Sequence, residues 1–228
     1  MPARCVCRLP ESIDFPTAAS MMLKGMTAQF LLRKATPSGG FVEGDVVLVH
    51  AAAGGVGLIL TQWARLLGLQ VIGTAGSDAK CALALDHGAS HMINYSRDDF
   101  RQRVLDITGG HGVKAVYDAV GKDTWEQSLG CLQRFGMMVS YGNASGPIPP
   151  LDPRVLLDKG SLTLTRQSVF HHLHSRESTQ AMADELFEVV ANGKVRILPG
   201  RQLPLEDAAQ AHRELESRRS VGSTILLP

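Results

Sequence analysis

Aromatic residues are scarce, at 5% of the chain, which leaves no evident platform for stacking nucleic-acid bases. Neither sign of charge is in excess: 23 Lys and Arg stand against 22 Asp and Glu. The charge balance therefore gives no sign of a polyanion-binding or membrane-surface protein, and neither nucleic acid nor membrane is expected as a partner. No apolar run approaches the roughly 18 residues of a membrane span. The opening Met1-Pro2-Ala3-Arg4 leads into polar and acidic residues, so no secretory signal is read there. Cysteine is sparse and unpaired in spacing. Cys5, Cys7, Cys81 and Cys131 make no CxxC pair, and Cys5 with Cys7 alone would not close a zinc site. All four read as reduced thiols of a cytoplasmic protein. Internal repeats and low-complexity tracts are absent.

What remains is ordinary globular material: 228 residues, 44% hydrophobic and 20% charged. That length allows one large domain, or one domain with part of another. Residues 14–34 read as a helix or helix pair, with Ala18, Ala19, Met22, Leu23, Met26, Phe30 and Leu31 at helical spacing and Pro16 suited to a first turn. Residues 36–44 form a Pro/Gly/Ser loop. From there short apolar runs alternate with helical segments. Strands are expected at 46–50, 70–74, 91–94, 113–118 and 136–141, and helices at 56–67, 78–87, 100–108 and 124–132. Val46-Val47-Leu48-Val49 is nearly continuous in β-branched residues, as a parallel strand covered on both faces should be. The alternation predicts an α/β fold with a doubly wound parallel Rossmann sheet. After Gly142 the character changes. Pro147, Pro149, Pro150 and Pro153 make an irregular link, followed by an edge strand at 161–165, helices at 178–192 and 205–217, and a closing strand at 222–227.

The chemistry concentrates in Ala51-Ala52-Ala53-Gly54-Gly55-Val56-Gly57. This is a variant of G-x-G-x-x-G, with Ala52 in the first glycine position. Small residues let the backbone turn tightly, let a pyrophosphate approach main-chain N–H groups, and let helix pack on strand. The helix N-terminus then favours the anion. A glycine motif alone is weak evidence; a strand before it and a helix after it make it specific. NAD-binding units place a carboxylate at the end of the second strand. Here Val71-Ile72-Gly73-Thr74-Ala75-Gly76-Ser77 reaches no carboxylate before Asp78. Glycine there leaves room for a 2′-phosphate, Ser77 offers a hydroxyl and Lys80 a cation, a composition that favours NADP. The plain alternative is that Ser77 or Asp78 caps a helix and Lys80 is solvated.

Other candidates are weaker. Tyr95 follows a strand at the C-terminal edge of the sheet, where ligands bind, or else caps a loop. Asp118 stands between a site role and a turn role. His171, His172 and His174 lack a surrounding ligand set and read as an exposed loop. Gly142-Asn143-Ala144-Ser145-Gly146 is no nucleophile elbow, which excludes a Ser-His-Asp hydrolase. The edge strand Leu162-Thr163-Leu164 invites pairing with a second copy, so a homodimer is expected.

Several spaced motifs carry a family resemblance along nearly the whole chain. They are Lys24-Gly25-Met26-Thr27-Ala28, His50 to Gly57, Gly73-Thr74-Ala75-Gly76, Ile93-Asn94-Tyr95, Val116-Tyr117-Asp118-Ala119-Val120-Gly121 and Ser140-Tyr141-Gly142-Asn143. Glu216-Ser217-Arg218 with Gly222-Ser223 adds to them. Together they resemble the quinone oxidoreductase, zeta-crystallin-like branch of the medium-chain dehydrogenase/reductase superfamily. The resemblance implies a zinc-independent enzyme that transfers hydride from NADPH to a quinone or another conjugated carbonyl. It implies that Ala53, Gly54, Gly55, Val56 and Gly57 line the pyrophosphate. Gly76, Ser77, Lys80 and Tyr95 would surround the adenosine 2′-phosphate, with Gly142 and Asn143 near the nicotinamide and Thr27 near the helix that leads in. It identifies no acid or base. Family members begin with a GroES-like catalytic lobe, and the resemblance implies that most of it is missing here. The implied division is a linking segment at 1–28, an NADP-binding Rossmann domain at 29–165, and a part at 166–228 that closes the sheet and returns to a truncated catalytic lobe. A second reading, from another class, is an NADPH-binding module or dimerising partner without turnover.

Overall fold

The computed structural model describes residues 5–216 and 223–228. Its elements, in chain order, are α1 (Phe15–Arg33), β1 (Val46–Val49), α2 (Gly55–Leu66), β2 (Gln70–Ala75), α3 (Asp78–Asp86), β3 (His91–Asn94), α4 (Phe100–Ile107), β4 (Val113–Asp118), α5 (Trp125–Leu129), β5 (Leu132–Ser140), α6 (Arg154–Asp158), β6 (Thr163–Thr165), α7 (Val169–His172), α8 (Arg176–Ala191), β7 (Pro199–Pro204), α9 (Ala208–Glu216) and β8 (Ser223–Leu227). The main sheet has six strands in the order β3-β2-β1-β4-β5-β6, and every pairing is parallel. The order reverses between β1 and β4, which opens a crevice at their C-terminal ends.

Side-chain alternation divides the core into two layers. Val47, Val49, Val71, Ala115, Tyr117 and Val139 pack with α1, α2 and α8 on one face. Leu48, Ile72, Val116 and Met138 pack with α4 and α5 on the other. Central strands buried on both faces carry few polar residues, which is why β1 reads as an unbroken apolar run. Tyr117 is fully buried and donates its hydroxyl to the Leu31 carbonyl at 3.1 Å, tying the sheet to α1.

α1 is one continuous helix. Asp14 caps it, its carboxylate accepting from the Thr17 N–H at 2.6 Å, and Pro16 lies in the first turn. The domain boundary expected at residue 28 falls inside this helix. α1 packs along α2 and α8. At Gly25 the two helices nearly touch: a Cβ there would stand 2.5 and 2.6 Å from the δ carbons of fully buried Leu186. We expect Gly25→Val to cost about 1–3 kcal/mol through overpacking. Denaturant unfolding should show positive coupling with Leu186→Ala, and additive effects would refute the contact.

Several elements depart from the sequence reading, among them the unexpected short helices α6 and α7. The helix expected at 124–132 is only α5, and β5 begins at Leu132 rather than Gly136. Polar Gln133 and Arg134, and Phe135 at φ 61°, hid the first half of this strand, which enters the sheet through an irregular register. β7 was not expected at all, since Pro199, Gly200 and Pro204 break the strand pattern. It pairs in parallel with β8 in a separate two-stranded sheet. The expected ends at 217 and 222, and Met1 to Arg4, Ser217, Arg218 and Gly222 of the sequence motifs, lie outside the described residues. Among the described residues, no helix is long and apolar enough to cross a membrane.

Candidate functional site: a dinucleotide crevice

β1 delivers the chain to the crevice at His50. Its backbone N–H bonds the Tyr117 carbonyl at 3.1 Å. Its ring is buried between the Thr74 and Ser128 hydroxyls, at 2.9 and 2.8 Å, edge-on to Phe100. Burial lowers the His50 pKa, and nearby Asp118 partly opposes this; the two hydroxyl bonds fix the ring at the root of the loop. Ala51 then adopts φ 52°, a left-handed conformation rare outside glycine. Ala52 bonds back to the Thr74 carbonyl and Gly54 to the Ala51 carbonyl, at 3.0 and 2.8 Å.

Gly57 and Ala52 in this turn answer close approaches. A Cβ on Gly57 would lie 2.3 Å from the Ala51 oxygen and 2.7 Å from Ala52 Cα, both backbone. Ala52 fits the first glycine position because Gly73 faces it, where a Cβ would come within 2.7 Å of the Ala52 methyl. Gly73 thus serves packing, between β2 and both the loop and the Met92 side chain. Gly54 stands at the N-cap of α2 and offers no side-chain cap. The first-turn N–H groups of Gly55, Val56 and Gly57 have no intrahelical partner by helix geometry, which leaves donors and a positive dipole end for an anion.

At the end of β2, Gly76 and Tyr95 meet: a Cβ on Gly76 would stand 2.7 Å from the Tyr95 hydroxyl. Ser77 caps α3, its hydroxyl accepting from the Lys80 N–H at 3.4 Å. Lys80 lies in the first turn of that helix and is partly exposed. The carboxylate of Asp78 is engaged by Asn94 at 2.9 Å and by Arg97 at 3.1 Å. The sequence reading missed Arg97, since nothing in Ser96-Arg97-Asp98 marks it. The fold brings this second cation to the edge where Ser77 and Tyr95 lie. A cavity of about 360 Å³ opens here, lined by Ala51, Thr74, Tyr95, Phe100, Val120 and Gln127.

On the other side of the loop, Asp118 takes the turn role. Its carboxylate is buried and accepts from the Val120 and Gly121 N–H groups at 2.6 and 3.1 Å and from the Thr124 hydroxyl at 2.7 Å. Gly142 is pressed against this turn, where a Cβ would come within 2.5 Å of the Ala119 oxygen. Arg166, also missed, pins the end of β5. Its guanidinium donates to Ser140 Oγ, the Gly142 carbonyl and Asn143 Oδ1 at 2.9, 2.9 and 3.2 Å. A second cavity, of about 540 Å³, is lined by Lys24, Thr27, Val56, Ala119, Tyr141 and Arg166. The Thr27 hydroxyl bonds to the Leu23 carbonyl of its own helix at 2.7 Å.

The histidine cluster departs from the exposed loop expected for it. Its first two members end the short helix α7. His172 stacks on Phe30, centroids 5.3 Å apart, and bonds Gln167 at 3.0 Å, while Leu173 is buried. Among the described residues, no three His, Cys, Asp or Glu side chains group as a metal site. The four cysteines are free.

A six-stranded parallel sheet, with a glycine-cradled helix N-terminus at its reversal point and a cavity on each side, defines a Rossmann-type dinucleotide-binding protein. Residues 55–188 match the zinc-binding dehydrogenase family model. The quinone oxidoreductase of Pseudomonas aeruginosa is 49% identical over 220 residues, spanning 96% of this chain and 67% of that protein. The 2-haloacrylate reductase of a Burkholderia species is 43% identical over the whole chain and 68% of its own. The crystal structure of Escherichia coli quinone oxidoreductase complexed with NADPH superposes with a TM-score of 0.93 at 44% identity, covering 99% of this chain and 69% of that one. The chain belongs to the quinone oxidoreductase family, a family of oxidoreductase enzymes.

Proposed function

We propose that this chain binds NADPH in the crevice and uses it, without zinc, to reduce a quinone or another conjugated carbonyl. The observation that carries this reading is the cradle at Gly57, closed to any Cβ by backbone atoms, beneath an uncapped helix N-terminus. Ala53, Gly54, Gly55, Val56 and Gly57 would hold the pyrophosphate. Gly76, Ser77, Lys80 and Tyr95 would hold the 2′-phosphate end. Thr27, Gly142 and Asn143 would border the nicotinamide, with Arg166 fixing the last two. When bound, NADPH supplies the hydride. The protein's own contribution is to position the reactants and shape the electrostatics around them. The acceptor would enter the larger cavity, whose lining includes Phe30, Tyr141, Val169 and Phe170 beside polar Thr27 and Gln167.

A cytoplasmic location is part of this reading. So is a homodimer paired through β6, which ends the main sheet and has a half-exposed Leu164. Fluorescence titration of NADPH and NADH, followed by a quinone assay, tests the whole. NADPH should bind more tightly and be oxidised. Binding without oxidation would favour the module without turnover, and preference for NADH would sink the cofactor assignment. Lys80→Ala should weaken NADPH binding about 5–30-fold, the value of one charge-assisted contact, and leave NADH unaffected. An unchanged NADPH affinity would remove Lys80 from the site.

A further inference from the structure

Lys24 stands one turn before Thr27 on α1, outside the glycine loop. Its side chain lies across Gly55, the first residue of α2. A Cβ there would meet Lys24 Cδ at 2.7 Å, Cε at 2.9 Å and Nζ at 3.0 Å. The ammonium therefore sits beside the positive end of that helix. It donates to the Ser223 hydroxyl, which donates in turn to the Ser20 carbonyl at 2.9 Å. Lys24 also lines the larger cavity. Among the described residues, no carboxylate pairs with it.

Half-burying a cation against a helix N-terminus without a counter-anion is unfavourable twice over. Desolvation disfavours the charge and the dipole repels it. Burial does lower the Lys24 pKa. A dianionic group at the first turn of α2 would neutralise both positive ends, and a dinucleotide has one such group that belongs there.

We propose that Lys24 is the counter-cation for the diphosphate of the bound dinucleotide, supplied by α1 and oriented by Ser223 of the closing strand. The inference rests on the cofactor reading above. It assigns the two lysines separate tasks: Lys80 faces the 2′-phosphate and discriminates between cofactors, whereas Lys24 acts on a group that both share.

Titrations of NADPH, NADH and adenosine 2′-monophosphate with Lys24→Met separate the cases. Both dinucleotides should weaken together by about tenfold, the scale of one charge-assisted contact. The mononucleotide should be unaffected, and Lys24→Arg should retain most of the affinity. Equal weakening of all three ligands, or none, would overturn the proposal. If Lys24→Met does not fold, the wild-type protein still decides. Inorganic pyrophosphate should protect Lys24 from acetylation by acetic anhydride, read by mass spectrometry, and adenosine 2′-monophosphate should not. Absence of that protection overturns the proposal. A wild-type protein that binds neither dinucleotide sinks the cofactor reading as well; one that binds both while Lys24→Met is unchanged sinks only this inference.

Discussion

Gly57→Ala should abolish measurable NADPH binding and destabilise the fold by about 2–4 kcal/mol, at or above the usual cost of one inserted methyl group. The reason is the identity of the atoms in the way. A methyl at Gly57 would stand 2.3 Å from the Ala51 oxygen and 2.7 and 2.8 Å from Ala52 Cα and C. None of these can rotate aside as a side chain can. Relief requires moving the Ala51–Ala52 turn, and that turn is held by the Ala52-to-Thr74 backbone bond and by buried His50. Ala51 already has a positive φ, so little slack remains in the loop. The N–H groups of Gly55 and Val56 would move with it, and diphosphate recognition depends on their position. The same substitution at Gly39 should cost far less: its φ of +82° makes alanine strained there, but nothing lies within 4 Å of the new methyl. Equal stability loss at the two positions would refute the cradle argument. The measurements are NADPH titration by fluorescence and denaturant unfolding, run on both variants.

Asp118→Asn should cost about 2–4 kcal/mol and weaken cofactor binding at the same time. The substitution preserves volume, so the loss is one of hydrogen bonding. Oδ1 accepts from two backbone N–H groups and Oδ2 from the Thr124 hydroxyl. An asparagine keeps one acceptor oxygen for the two N–H groups but loses the charge, and its amide faces the Thr124 hydroxyl, which must then turn to donate to the Gly121 carbonyl 3.1 Å away. Hydrogen bonds to a charged acceptor are worth about 1.5–3 kcal/mol each, and their weakening is the cost. The turn at Val120 and Gly121 borders the smaller cavity, and Ala119 borders the larger, so its displacement reaches both ends of the crevice. Thr124→Val, which removes only one of the three bonds, should show a smaller loss in both measurements. A stable Asp118→Asn protein with unchanged affinity would show that the carboxylate does not organise this turn.

The strand and helix alternation from residue 46 to residue 118 was legible because strands buried in a parallel sheet are mostly apolar, as the unbroken run of β1 and the apolar centres of β2 and β4 are. The glycine loop was legible for a similar reason, since only small residues tolerate its contacts. β7 was not legible. Its pairing with β8 is long-range, and Pro199, Gly200, Arg201 and Gln202 carry no strand signal of their own. Arg97 and Arg166 were invisible because surface arginines are common, and only the fold shows which carboxylates, hydroxyls and carbonyls surround them. Asp118 shows the limit of local reading. Its place at a strand end suits either a site or a turn, and three hydrogen bonds decide for the turn.

By itself the sequence determined the sheet, the loop at its reversal and the small residues that loop demands. These are local consequences of side-chain size and apolar periodicity. Only the tertiary structure decided that Gly73 faces Ala52, that Gly76 faces Tyr95, and that α1 lays Lys24 across the first residue of α2. Each of these joins segments remote in sequence, and no local pattern encodes a distance between them.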